Sequence, residues 1–100
     1  MSVRMNRDGS VLTMHMDTTM SGQDAPEWDR QAERKIDESV ETVIIDCSDL
    51  TYISSAGLRV ILKIQKKMDL VDGELVLRNV SAEVMDVLSI VGFAEFLTIE

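Results

Sequence analysis

The sequence is short of the features by which many chains announce their chemistry. A single cysteine among 100 residues excludes an internal disulfide framework and any multi-cysteine zinc site. No apolar run approaches the roughly 18 residues that span a bilayer. Arg4, Asn6, Arg7 and Asp8 interrupt the N-terminus, so no apolar signal core forms there. Basic residues are outnumbered ten to eighteen by acidic ones, and the formal charge of −8 argues against broad binding to nucleic acid or an anionic membrane. Gly-x-Ser-x-Gly is absent, as are phosphate-loop and dinucleotide glycine patterns. The sole histidine, His15, has no second ligand or nucleophile placed near it, so it reads as a surface residue. No catalytic residue, metal or cofactor is expected. What remains is a chain with 45% hydrophobic residues, too apolar for disorder and long enough for one core. The expectation is one soluble cytoplasmic domain over residues 1–100, with Cys47 reduced and without direct contact to nucleic acid or membrane.

Strand and helix signals nearly alternate along it. Residues 2–6 and 10–16 read as a hairpin around Asp8-Gly9, which suits positive φ at a tight turn. Leu12, Met14 and Met16 form its apolar face and leave His15 on the wetter one. Residues 17–24 are polar and read as a loop. Asp24 and Glu27 have capping-box spacing, Pro26 suits a first turn, and a helix is expected over 25–39 with Ala25, Trp28, Ala32, Ile36 and Val40 as its stripe. Val43-Ile44-Ile45 and Leu75-Val76-Leu77 suit strands buried on both faces. A helix over 55–70 joins them into a right-handed βαβ unit, stopped by Asp72-Gly73. Ser81 caps a last helix, 82–90, whose core face is Val84, Val87, Leu88 and Val91; Gly92 ends it, and 97–99 form a short strand. The fold class is α/β: a mixed sheet of four or five strands with a parallel βαβ core and three to four helices.

The informative stretch is 46–70, DCSDLTYISSAGLRVILKIQKKMDL. The chain leaves a strand at Asp46, crosses a loop and starts a helix at the carboxyl ends of the strands, where open α/β sheets place function. Ser54 or Ser55 can cap the exposed N–H groups of that helix. Gly57 costs about 1 kcal/mol in a helix interior relative to alanine; with Ala56 it leaves the first turn bare, for tight packing or for close approach by a partner. Arg59, Lys63, Lys66 and Lys67 occur with no acid between Ser55 and Met68, so this segment is +4 while the rest of the chain is −12. Arg59, Lys63 and Lys67 form a stripe that begins one turn from Ser55.

A phosphate on Ser55 would add roughly −1.5 to −2 charges. Inside the molecule it would meet helix N–H groups and Arg59 four residues on, worth about 0.3–2 kcal/mol. Across an interface, two like charges about 4 Å apart at an effective dielectric near 20 repel by about 4 kcal/mol. That is nearly a thousandfold in affinity. One serine here can therefore switch a contact without unfolding the domain.

The order strand, DCSDL, ISSAGLRVIL, KK, strand, NVSAEVMDVLSIVGF, strand resembles the STAS domains of the bacterial anti-sigma factor antagonist family. Two motifs carry the resemblance: Ser-x-Gly-Leu, here Ser55-Ala56-Gly57-Leu58, and the valine-rich helix of 79–93 ending in Gly92-Phe93. It extends over most of the chain and is weakest in the N-terminal hairpin and the 17–24 loop. The resemblance implies a protein whose unphosphorylated form binds an anti-sigma factor with serine kinase activity and so frees a sigma factor. The kinase phosphorylates the serine before x-Gly-Leu, and a PP2C-type phosphatase reverses it. Carried over, the phosphoacceptor is Ser55. Ser54 stands where many members have aspartate and is either a second acceptor or a helix cap. Arg59 stands where many have glycine. The partner-binding stretch is Ser54, Ser55, Ala56, Gly57, Leu58 and Arg59, and Asp46 matches a frequent aspartate that braces the loop. The alternative is a constitutive STAS module of a transporter, lipid-trafficking or stress-signalling complex, with Ser55 only a cap. If these 100 residues are the full chain, as expected, no fused membrane or sensor region accompanies the domain, which favours the switch.

Overall fold

The computed structural model describes residues 4–16, 19–20 and 22–100. The elements in order are β1 (Arg4–Asp8), β2 (Val11–His15), β3 (Thr19–Met20), α1 (Ala25–Lys35), β4 (Thr42–Asp46), β5 (Tyr52–Ile53), α2 (Ser55–Leu70), β6 (Glu74–Arg78), α3 (Ala82–Ile90) and β7 (Thr98–Ile99), with a 3-10 turn at Phe93–Glu95 before β7. The main sheet has the order β1-β2-β4-β6-β7. Its β1–β2 pair is antiparallel, and the β2–β4, β4–β6 and β6–β7 pairs are parallel. The mixed five-stranded sheet and three helices are the architecture expected from the strand–helix alternation.

The hairpin turns through Gly9-Ser10, with Gly9 at φ +61° and Asp8 opposite Val11. Residues 2 and 3 of the expected first strand lie outside the described residues. Leu12 and Met14 of β2, Val43 and Ile45 of β4, and Leu75 and Leu77 of β6 form one core with Trp28, Ala32, Ile61, Ile64, Met68, Val84 and Leu88 of the helices. Burial of each such side chain contributes about 1.5–3 kcal/mol. All three helices thus cover one face of the sheet. On the other face Thr13, Thr42 and Ile44 are only half-buried. The reading of Val43-Ile44-Ile45 as buried on both sides is therefore corrected: β4 alternates, and only in β6 is the middle residue, Val76, also buried.

Other departures are local. α1 stops at Lys35, not residue 39, because Ile36 is extended and the Asp37 carboxylate accepts from both the backbone N–H and the hydroxyl of Ser39. That turn offers the backbone an alternative to helix. Ile36 and Val40 remain buried, so the helical spacing persisted beyond the helix. Asp24 has helical dihedrals and makes no side-chain cap bond, while Glu27 takes Gln31 and Arg30 instead. Val91 is half-exposed because α3 ends one residue before it; Gly92 follows at φ +83°. Between Thr19–Met20 and Tyr52–Ile53 a small second parallel sheet forms where a plain loop was expected. Trp28 is fully buried, and its indole N–H has no hydrogen-bond partner among the described residues.

The turn from α2 into β6 is tight. Gly73 N–H donates to the Met68 carbonyl at 2.8 Å, and Glu74 N–H to the Glu41 carbonyl at 3.0 Å. A Cβ on Gly73 would lie 2.5 Å from the Met68 methyl and 2.9 Å from the Glu41 carbonyl oxygen. Met68 is fully buried and the carbonyl is backbone, so neither yields freely. Gly73→Ala is expected to destabilise by about 1–3 kcal/mol, read as a lower urea midpoint with unchanged slope.

Candidate functional site

The parallel β4–α2–β6 unit brings the β4–β5 loop and the start of α2 to the carboxyl end of the sheet. Asp46 ends β4. Its Oδ1 accepts from the Ser48 N–H at 3.0 Å and from the Asn79 side-chain amide at 3.1 Å. Asn79 reaches it from the end of β6 with φ +58°, a conformation asparagine tolerates. The other carboxylate oxygen lies 3.2 Å from His15 Nδ1, since His15 and Asp46 are register partners across β2 and β4. Asp46 thus ties three strand ends and the loop together. The Asn79 hydrogen bond is the largest cause and outweighs burial; with smaller contributions from the Ser48 hydrogen bonds and the neighbouring His15, it holds the carboxyl below the usual carboxylate range.

The next residue, Cys47, is buried, and its thiol faces the Ile45 carbonyl at 3.7 Å. Burial, aided by the Asp46 charge, pushes the thiol up to about 12, so no reactive thiolate forms at neutral pH. Among the described residues no group of three or more metal-ligating side chains comes together.

β5 then delivers the chain to α2. Ile53 points into the core and Tyr52 is 58% exposed. The exposure of Tyr52, a residue type that anchors many interfaces, follows from its alternation with Ile53, a signal the sequence reading passed over. Ser54 is the N-cap: extended at φ −85° and ψ 170°, with its Oγ accepting from the Gly57 N–H at 3.2 Å. Ser55 is the first helical residue and is exposed. The two adjacent serines therefore differ: one oxygen is engaged in the helix start and half-buried, the other faces outward.

The six-residue stretch divides by burial. Ser55 and Arg59 are exposed, Ser54 and Ala56 half-buried, and Gly57 and Leu58 buried. Leu58 is part of the core, so its side chain offers no surface to a partner. The bare first turn serves packing at Gly57 and leaves open surface at Ala56.

The basic stripe is only partly a free face. Lys63 Nζ lies 3.4 Å from Asp29 Oδ2, and Lys67 Nζ lies 3.4 Å from Glu33 Oε2. Acids four apart on α1 thus meet bases four apart on α2, two rungs between helices running the same way. At Arg59 the ladder stops, because the next position back on α1 is Ala25. A cleft of about 360 Å3 opens there, lined by Gly22, Ala25, Pro26, Asp29, Ala56, Arg59 and Lys63.

Comparison with known proteins agrees with this geometry. The STAS domain family model matches residues 2–100. BtrV of Bordetella bronchiseptica, whose name describes an anti-sigma factor antagonist, is 32% identical over 93 residues, which are 93% of this chain and 80% of that protein. TM1081 of Thermotoga maritima, likewise described, superposes with a TM-score of 0.87 at 19% identity, covering 97% of this chain and 84% of that one. The phosphorylated form of SpoIIAA, a cell fate determinant of Bacillus, superposes with a TM-score of 0.79 at 15% identity, covering 99% and 91%.

Two predictions follow from the serine pair and from Asp46. Ser54→Ala is expected to cost about 1 kcal/mol in chemical denaturation, and Ser55→Ala to stay within about 0.5 kcal/mol of the parent. Because the folded Asp46 carboxyl is depressed, its contribution is complete above about pH 4, the unfolded value, and is lost as pH falls through the folded one. The stability gap between the parent and Asp46→Asn, followed by urea midpoint, is expected to be constant near neutrality and to shrink on acidification below that point.

Proposed function

Because this chain belongs to the STAS-domain family of anti-sigma factor antagonists, we propose that its unphosphorylated form binds an anti-sigma factor with serine kinase activity, and that phosphorylation of Ser55 ends the complex. A PP2C-type phosphatase restores the binding form. Bound to the antagonist, the anti-sigma factor releases its sigma factor. The single observation that carries this reading is the exposure of Ser55 beside the engaged oxygen of Ser54. An acceptor must reach a kinase active site, and Ser54 would have to leave its cap to do so. SpoIIAA, which has this fold, exists in unphosphorylated and phosphorylated forms.

The switch works through charge at a contact. The start of α2 is hydrated in the free protein, where helix amides and Arg59 tolerate a dianion. A partner docked over Tyr52, Ser55 and Arg59 removes that water, and the phosphate then meets groups arranged for a neutral hydroxyl. Desolvating it without new donors opposes binding, and the molecule's net charge of −8 adds to the repulsion of any acidic rim. Asp46 acts indirectly, by holding the loop that sets the angle at which α2 begins.

Intact-mass measurement after incubation with ATP and the anti-sigma kinase of its own genome is expected to show one added phosphate, mapped to Ser55. Ser55→Ala is expected to bind that kinase as the parent does and to remain bound with ATP, whereas Ser55→Asp weakens binding by at least about tenfold in calorimetry. Phosphate mapped elsewhere, with Ser55→Ala still switchable, would refute the assignment.

A further inference from the structure

We infer that Arg59 is the intramolecular clamp for a phosphate on Ser55. The inference rests on Ser55 as the acceptor and adds what the phosphorylated state does next. Two ion-pair rungs join α1 to α2. Lys63 is held by Asp29 and Lys67 by Glu33, so two of the three stripe cations already carry a carboxylate. The same four-residue step places Arg59 as the third rung, but the facing position on α1 holds Ala25. Among the described residues no carboxylate forms an ion pair with Arg59, and its side chain is exposed at the mouth of the cleft.

The cleft is open because the residues around that mouth are small. Gly22, Ala25 and Ala56 leave room that a larger side chain at any of them would take. Ser55 and Arg59 are four residues apart on α2, the spacing at which helix side chains meet. A guanidinium offers several N–H donors in a planar fork that matches two phosphate oxygens. The charged groups around the cleft are Arg59, Lys63 and Asp29, with Asp24 just before α1. Lys63 is committed to Asp29, so Arg59 is the cation able to turn toward the phosphate without breaking an existing pair. In the unphosphorylated form Arg59 is exposed about one turn from Ser55, on the surface proposed for the partner. Phosphorylation would then act twice at one place: it adds a dianion, and it withdraws Arg59 from the contact.

The test needs neither kinase nor partner. Phosphoserine is installed at position 55 during synthesis of the full chain, and the phosphorus resonance is followed through a pH titration. The second ionisation of an unperturbed phosphoserine lies at about pH 6. In the parent phosphoprotein it is expected to be lowered, and Arg59→Gln is expected to raise it by about half a unit or more. Lys66→Gln removes one charge from the same helix outside the stripe and is expected to leave it nearly unchanged. As a second measurement, the Arg59 Nε–H resonance of the parent is expected to move with the phosphorus titration. Equal effects of Arg59→Gln and Lys66→Gln would mean a diffuse field and would overturn the clamp. So would an Arg59 resonance that ignores the titration. A kinase that fails to modify Ser55 would instead sink the functional proposal and leave this titration untouched.

Discussion

The first amide groups of α2 have no partner within their own helix, and the site is built around how they are satisfied. A parallel β4–α2–β6 unit must begin its helix at the carboxyl end of the sheet, so those N–H groups are presented at one end of the molecule. Ser54 takes one of them, from Gly57. The residue after the cap must then point away from the cap bond, and that residue is Ser55. An exposed hydroxyl at the positive end of a helix is a consequence of this geometry. It needs no strain, no metal and no catalytic neighbour.

The same constraint explains why support for the site comes from behind it. Asp46, Asn79 and His15 lie on β4, beyond β6 and on β2, and they fasten the loop that precedes the cap. Lys63–Asp29 and Lys67–Glu33 fasten α2 to α1 further along. These exposed pairs are individually weak, on the order of 0–1 kcal/mol. Their effect is directional: they engage the lower part of the basic stripe and leave Arg59, four residues from Ser55 on α2, as the stripe cation with no carboxylate among the described residues.

Much of this was legible in the sequence because it depends on neighbours within a turn. The limits of α2 at 55 and 70 follow from a serine cap, a continuous apolar stripe and Asp72-Gly73, and α3 follows in the same way from Ser81 and Gly92. What was not legible depends on pairing across the fold. Nothing local says that His15 faces Asp46, since parallel register is set by tertiary packing. Nothing local says that Asp29 and Glu33 meet Lys63 and Lys67, so a partly paired face resembled a fully solvated one. Asp24 and Ile36 misled for a different reason: capping spacing and apolar period both persisted where the backbone had left the expected conformation. Ile44 looked buried on composition, yet its face of the sheet carries no helix.

In the proposed complex the exposed start of α2, together with Tyr52 before it and the facing start of α1, meets the anti-sigma factor. Amide hydrogen exchange on the free and bound protein tests it directly. Slowed exchange confined to residues 52–59 and the facing start of α1 is the predicted footprint. Protection of the open sheet face at Thr13 and Ile44, with the amides around Ser55 exchanging as in the free protein, would contradict it.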